Sequence, residues 1–358
     1  NVFYSHIFVA MKALQFIDSF NKNSNIFFTS IFICFLAACG NQSNIENEAK
    51  EVNHLTIQRF EQDLILNDTN LINDAHFSNI AKKYNEFYFG FCENTLGILT
   101  QTNDPYFAKS LVGFVKYPSI LTLKNEVDSA YPNLTKIEDE LSVAMSRYKK
   151  EFPTAKIPQF VSYISEFTEA HCAYDSIIGI GLDMYLGKDY PFYPAEFPEF
   201  MRTKMTKDYI VPNTLKAIAI STFDKQLKDK RFLAYMLFEA KVRYFTKKIL
   251  PELNDTLVFG YTKKQMDWCN ESESQIWSFF VDKKLLYEKN PNEYMRFLTD
   301  GPFTSAEGIP QESAPSLGVY CGYKILENYA EKSGASLSEI MNNNNWDEIL
   351  KVSGYRPK

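Results

Sequence analysis

The chain has 358 residues, of which 45% are hydrophobic and 15% aromatic, enough apolar surface to offset chain entropy, so disorder is excluded as its main state. Lysine and arginine number 38 against 44 aspartate and glutamate, a formal charge of −6; no basic excess exists to neutralise a phosphate backbone, and nucleic acid is not an expected partner. Fourteen Gly and 15 Pro are ordinary counts that exclude collagen-like and low-complexity classes.

The first element in chain order is an export signal. Ile26 to Ala38 is an apolar run of 13 residues with Lys12 and Lys22 on its amino side. A membrane-spanning helix needs about 20 apolar residues, so this run fits the core of a cleaved signal peptide over 1–38. Because residue 1 is Asn, translation is expected to start at Met11. Leu36-Ala37-Ala38-Cys39-Gly40 resembles a bacterial lipobox: small residues admit the peptidase and the Cys39 thiol takes the lipid. Acyl chains such as palmitate, at about 0.8 kcal/mol per buried methylene, would hold the mature amino terminus in a leaflet. The expected location is a membrane, with the outer membrane preferred and the body facing the periplasm or cell surface. Residues 39–52 read as a polar tether, and 53–358 as one globular domain.

Within that domain, Leu55 to Leu66, Gln159 to Ile164 and Ile177 to Leu186 read as strands, the last nearly all apolar and therefore central. Helices are expected over Ile137 to Lys150, Asn213 to Thr222, Phe232 to Leu250, and as one long helix from Lys263 to about Leu286. Thr262 and Gln265 form a capping box for the last of these, and Glu273 interrupts its apolar face. Pro315 is placed to open a further helix whose Gly318 and Gly322, four apart, admit a neighbouring backbone. The Asn342 to Asn345 tract reads as a helix-terminal loop. The fold class is α+β: a helix-dominated single domain with a small β-sheet.

Four cysteines remain in the mature chain, Cys92, Cys172, Cys269 and Cys321, with no CxxC pair among them. They are expected as free, buried thiols, because an apolar core does not require staples. The sequence has no HExxH, G-x-S-x-G or phosphate-binding glycine signature. No metal or other cofactor is expected. His76 reads as preceding a helix, and His171 as a solvated histidine in the link between two strands. Asp183 and Glu239 lie in apolar runs. A buried carboxylate costs several kcal/mol unless paired, so Arg202, Lys241 and Arg243 are the expected partners. Asp183, Arg202, Glu239 and Lys241 form a candidate buried polar cluster, read as structural, with an envelope hydrolase acting on peptide or glycan through Asp183 and Glu239 as the alternative. The aromatic content also allows a ligand groove lined by rings.

Seven ordered blocks carry a resemblance. GLDMYLGKDYPFY (181 to 193), FEAKVRYF (238 to 245), GYTKKQMDWC (260 to 269), QIWSFFVDKKLLY (275 to 287), DGPFT (300 to 304) and APSLGVYCGYKIL (314 to 326), following the Cys39 lipobox, resemble the gliding motility lipoprotein GldB family. Ala240, where a Gly is expected, and Tyr320-Cys321, where aromatic residues are expected, are the departures. The resemblance implies a lipid-anchored envelope protein required for gliding, working with the motility and type IX secretion machinery; it does not supply the biochemical activity, and a non-catalytic partner of that machinery is the expectation. The part from Phe238 onward is also similar to the latter half of predicted zinc peptidases, in which an HExxH helix precedes an E-G-x-A helix. The corresponding helix here, Asn213 to Thr222, has no His, so the resemblance implies a zinc-peptidase-like scaffold lacking the metal motif.

Overall fold

A computed structural model describes residues 54–98, 105–224 and 227–358. The leader, Cys39 and the tether lie outside the described residues. The body is helix-dominated α+β with one small sheet, as the periodicities require.

The chain enters through β1 (Ile57–Arg59) and passes through six helices: α1 (Phe60–Leu64), α2 (Asp74–Tyr84), α3 (Glu86–Gly90), α4 (Pro105–Val115), α5 (Pro118–Ala130) and α6 (Thr135–Glu151). It returns to the sheet as β2 (Gln159–Tyr163), β3 (His171–Tyr174) and β4 (Ile177–Gly181). The strand order is β1-β2-β4-β3, with β1, β2 and β4 parallel and β3 antiparallel at the edge. β4 is central, as its unbroken apolar run predicts for a strand covered on both faces.

The sequence expectation of a strand over Leu55 to Leu66 holds only for β1. At Phe60 the apolar period changes from two to four: Phe60 and Leu64 are buried on one side of α1, where the Phe60 ring meets Tyr84, Phe87 and Phe91 edge-on at 4.9–5.1 Å between centroids. Edge-to-face packing of this kind is worth about 0.5–1.5 kcal/mol per pair beyond area burial, and it outweighs local strand propensity.

After β4 the chain runs through a 3-10 turn (Leu182–Tyr185), two short helices α7 (Tyr193–Glu196) and α8 (Glu199–Arg202), then α9 (Ile210–Phe223) and α10 (Phe232–Ile249). α11 (Asp255–Phe259) precedes the region expected as one long helix. That region is two helices, α12 (Lys263–Glu271) and α13 (Glu273–Asp282), broken at Ser272, whose φ of −105° and ψ of 13° are not helical. The break turns Glu273 inward, where its carboxylate accepts from Tyr355 at 2.8 Å and Tyr320 at 3.3 Å. The capping box at Thr262 and Gln265 forms as expected.

α14 (Pro291–Tyr294), α15 (Leu317–Ser333), α16 (Leu337–Asn342) and α17 (Trp346–Ser353) complete the chain, and the Asn343 to Asn345 link joins α16 to α17. α15 lies on α10 through its glycines: a Cβ added to Gly322 would meet Met236 O at 2.6 Å, and one added to Gly318 would meet the Phe232 ring at 2.8 Å. All four described cysteines are free and buried. No helix among the described residues is long and apolar enough to cross a membrane.

Candidate functional site

The apolar residues of α9, Ile210, Val211, Leu215, Ile218 and Ala219, are buried. This leaves Asn213 and Lys216, three residues apart, as neighbours on its half-exposed side. Thr214 is buried and reaches β3. There the strand alternation separates adjacent residues: Cys172 packs against Gly179, whereas His171 is directed to α9.

These side chains form one directed hydrogen-bond relay. Thr214 Oγ1 donates to Ile210 O at 2.8 Å, so it accepts from His171 Nε2 at 3.0 Å. His171 Nδ1 then accepts from the Tyr185 hydroxyl at 3.3 Å. Tyr185 accepts from Asn213 Nδ2 at 3.0 Å, which leaves Asn213 Oδ1 facing Lys216 Nζ at 3.4 Å. Each donor is spent in one direction, which assigns the tautomer of His171 and the orientation of the Asn213 amide. Burial, with the charge of Lys216 behind it, brings the His171 pKa down to about 3, so the ring is neutral as the relay needs. Burial and the nearby Arg243 and Lys204 bring Lys216 down to about 7, against a smaller upward pull from Asp300 and Glu239. His171 is therefore a strand residue tied to α9, contrary to the expectation of a solvated link residue. His76 likewise lies inside α2, its Nε2 against Leu64 O at 3.1 Å.

The four residues expected as one cluster occupy separate settings, with no hydrogen bond or ion pair joining any two of them. Asp183 is fully buried in the 3-10 turn. Its Oδ2 accepts from Phe167 N at 2.8 Å, Ser165 N at 3.1 Å and Ser165 Oγ at 3.3 Å, and these bonds bend the 165–169 segment around it with Glu166 and Phe167 at φ of 55° and 63°. Oδ1 has no partner among the described residues, and burial lifts the pKa to about 6 despite the bonds from Phe167 and Ser165. Glu239 is partly exposed and pairs with Arg243 one turn on. Lys241, two residues from Glu239 and so turned to the far side of α10, is 1% exposed. Its ammonium bonds Asn343 O at 2.5 Å and Met341 O at 3.3 Å and lies 4.5 Å above the Trp346 ring, and burial lowers its pKa to about 7. Arg202 is on α8, with Nε buried and unpartnered among the described residues. A carboxylate sealed like Asp183 cannot touch a substrate arriving from solvent, so shared chemistry with Glu239 finds no geometric support.

Sequence reasoning missed the relay. Its one visible signal is the pair of polar residues, Asn213 and Lys216, interrupting the apolar run of α9. Among the described residues, no three His, Cys, Asp or Glu side chains gather as a metal would require. The aromatic rings mostly pair with one another inside the core. One surface groove, of about 550 Å³ between the ends of α10 and α15, is lined by Tyr244 and Tyr323 together with Lys247, Lys248, Glu327 and Glu331.

A helix-dominated α+β body over a small mixed sheet is the class of fold these residues define. Comparison across protein families makes this specific: the family described as gliding motility protein GldB matches residues 41–357, and the chain belongs to that family. It is a gliding-motility-related protein. Neither the curated proteins nor the solved structures compared include a match.

Proposed function

We propose that the chain is a lipid-anchored envelope protein that supports gliding by docking, without turnover, onto the gliding and type IX secretion machinery. In this reading residues 1–38 are removed, Cys39 carries the lipid, 39–52 is the tether, and 53–358 is the body on the outer membrane. The observation that carries it is the family match, which begins at residue 41, two positions after the lipobox cysteine. The composition of α9 supports the absence of turnover. If it stands where the zinc peptidases place HExxH, it offers Asn213 and Lys216, and the relay engages both.

The test is complementation of a deletion strain. The deletion abolishes colony spreading, and an Asp183→Asn, Glu239→Gln double variant that folds normally restores it. Loss of spreading in that double variant, with folding and abundance unchanged, would contradict the docking reading and favour a hydrolase acting through those carboxylates.

A further inference from the structure

The relay ends on an amine that it does not saturate. Among the described residues, Lys216 makes one hydrogen bond, to Asn213 Oδ1 at 3.4 Å, and no other hydrogen bond or ion pair. The cations nearest to it are already matched: Lys204 bonds Asp300 at 2.6 Å, and Arg243 pairs with Glu239. Lys216 is thus the uncompensated charge of the group, and it is only partly exposed, so water replaces a counter-ion incompletely. Asn213 cannot turn to relieve it, because its amide nitrogen is held by Tyr185.

We propose that Lys216 receives a single carboxylate of a protein partner docked over the half-exposed side of α9 beside Arg243 and Lys204. A carboxylate supplies one negative charge and two acceptor oxygens to an amine with unspent N–H groups. A phosphate or a nucleic-acid backbone fits less well, since Glu239 and Asp300 would repel a second charge. The carboxylate belongs either to an Asp or Glu side chain or to a chain terminus. This inference rests on the docking reading and names what docks.

The groups that act on Lys216 are Asn213 on its own helix, His171 from β3, Arg243 and Glu239 from α10, and Lys204 and Asp300 from the adjoining loops, with Tyr185 from the 3-10 turn bonded to the far end of Asn213. His171 remains neutral above about pH 3, and burial pushes Tyr185 up, so neither changes charge near neutrality. The pKa of Lys216 near 7 rises when an anion arrives. Binding therefore takes up a proton and weakens as pH climbs above about 7.

The experiment is competitive acetylation of the full mature chain with trace acetic anhydride across neutral to alkaline pH, read lysine by lysine by mass spectrometry. One arm contains N-acetylglycine, which presents a terminal carboxylate, a second contains N-acetylglutamate α-amide, which presents a side-chain carboxylate, and a control contains uncharged N-acetylglycinamide. The expected result is that one or both carboxylates, but not the amide, raise the Lys216 titration midpoint by about one unit and slow its acetylation roughly five-fold at pH 7. The arm with the larger effect identifies the source. Equal Lys216 reactivity with carboxylates and amide overturns the proposal. A second readout separates this from the docking reading itself: Lys216→Met should fail to restore spreading and Lys216→Arg should restore it. Full restoration by Lys216→Met would overturn the carboxylate contact and leave docking standing.

Discussion

Burial makes opposite demands on Asp183 and His171, and the pH dependence of stability separates them. Asp183 has a folded pKa of about 6 against 3.8 for the free group, so the native state favours its protonated form. The stability this contributes is complete below about pH 4 and is lost as pH rises through 6. His171, lowered from 6.5 to about 3, contributes stability that is complete above 6.5 and is lost as pH falls toward 3. In wild type the two contributions oppose each other between about pH 4 and 6. Asp183→Asn should remove the first alone, so the gain in unfolding free energy from pH 4 to pH 7 becomes larger than in wild type by about 2 kcal/mol. Urea denaturation at the two pH values checks this, and an unchanged difference would show that Asp183 is not sealed from solvent.

At the scale of elements, α15 lies on α10 because two glycines remove the atoms that would hold them apart. Gly322→Ala places a methyl 2.6 Å from Met236 O, a backbone atom that cannot turn away, and should cost about 1–3 kcal/mol. Gly113→Ala is the contrast. It lies in α4 with nothing within 4 Å, so the alanine should stabilise by about 0.5–1 kcal/mol. Equal effects of the two substitutions in chemical denaturation would mean that the helices are not in contact at Gly322. The close approach was legible in the sequence, because glycines four apart share a face whatever the partner. The Ser272 break was not legible, since Met266, Cys269, Glu273, Ile276 and Phe280 keep helical spacing straight through it. It arises from Tyr320 and Tyr355, 47 and 82 residues from Glu273, which no local window contains. The turn from β1 into α1 was hidden for the same reason: the rings that draw Phe60 inward come from α2 and α3 and the segment that follows them.

At the scale of the whole molecule, the family and the helix-dominated α+β class follow from patterns that persist along the chain: seven ordered blocks, and apolar periods of two and 3.6. The site was hardly legible, because its five side chains come from β3, the 3-10 turn and α9, up to 45 residues apart, and only their hydrogen-bond directions make them one unit. Asp183 and Glu239 attracted notice as charges in apolar runs. The fold spends the first on shaping the 165–169 segment and the second on Arg243. In the docking reading proposed above, a partner meets the outer end of the relay, on a body held at the membrane.

Cys39→Ser tests that anchoring directly, in a deletion strain labelled with radioactive palmitate. The wild-type chain should take up label, sediment with the outer membrane and restore spreading. The Cys39→Ser chain, exported and folded at equal abundance, should take up no label, leave the membrane fraction and fail to restore spreading. Full spreading supported by an unlabelled, soluble Cys39→Ser body would contradict the account.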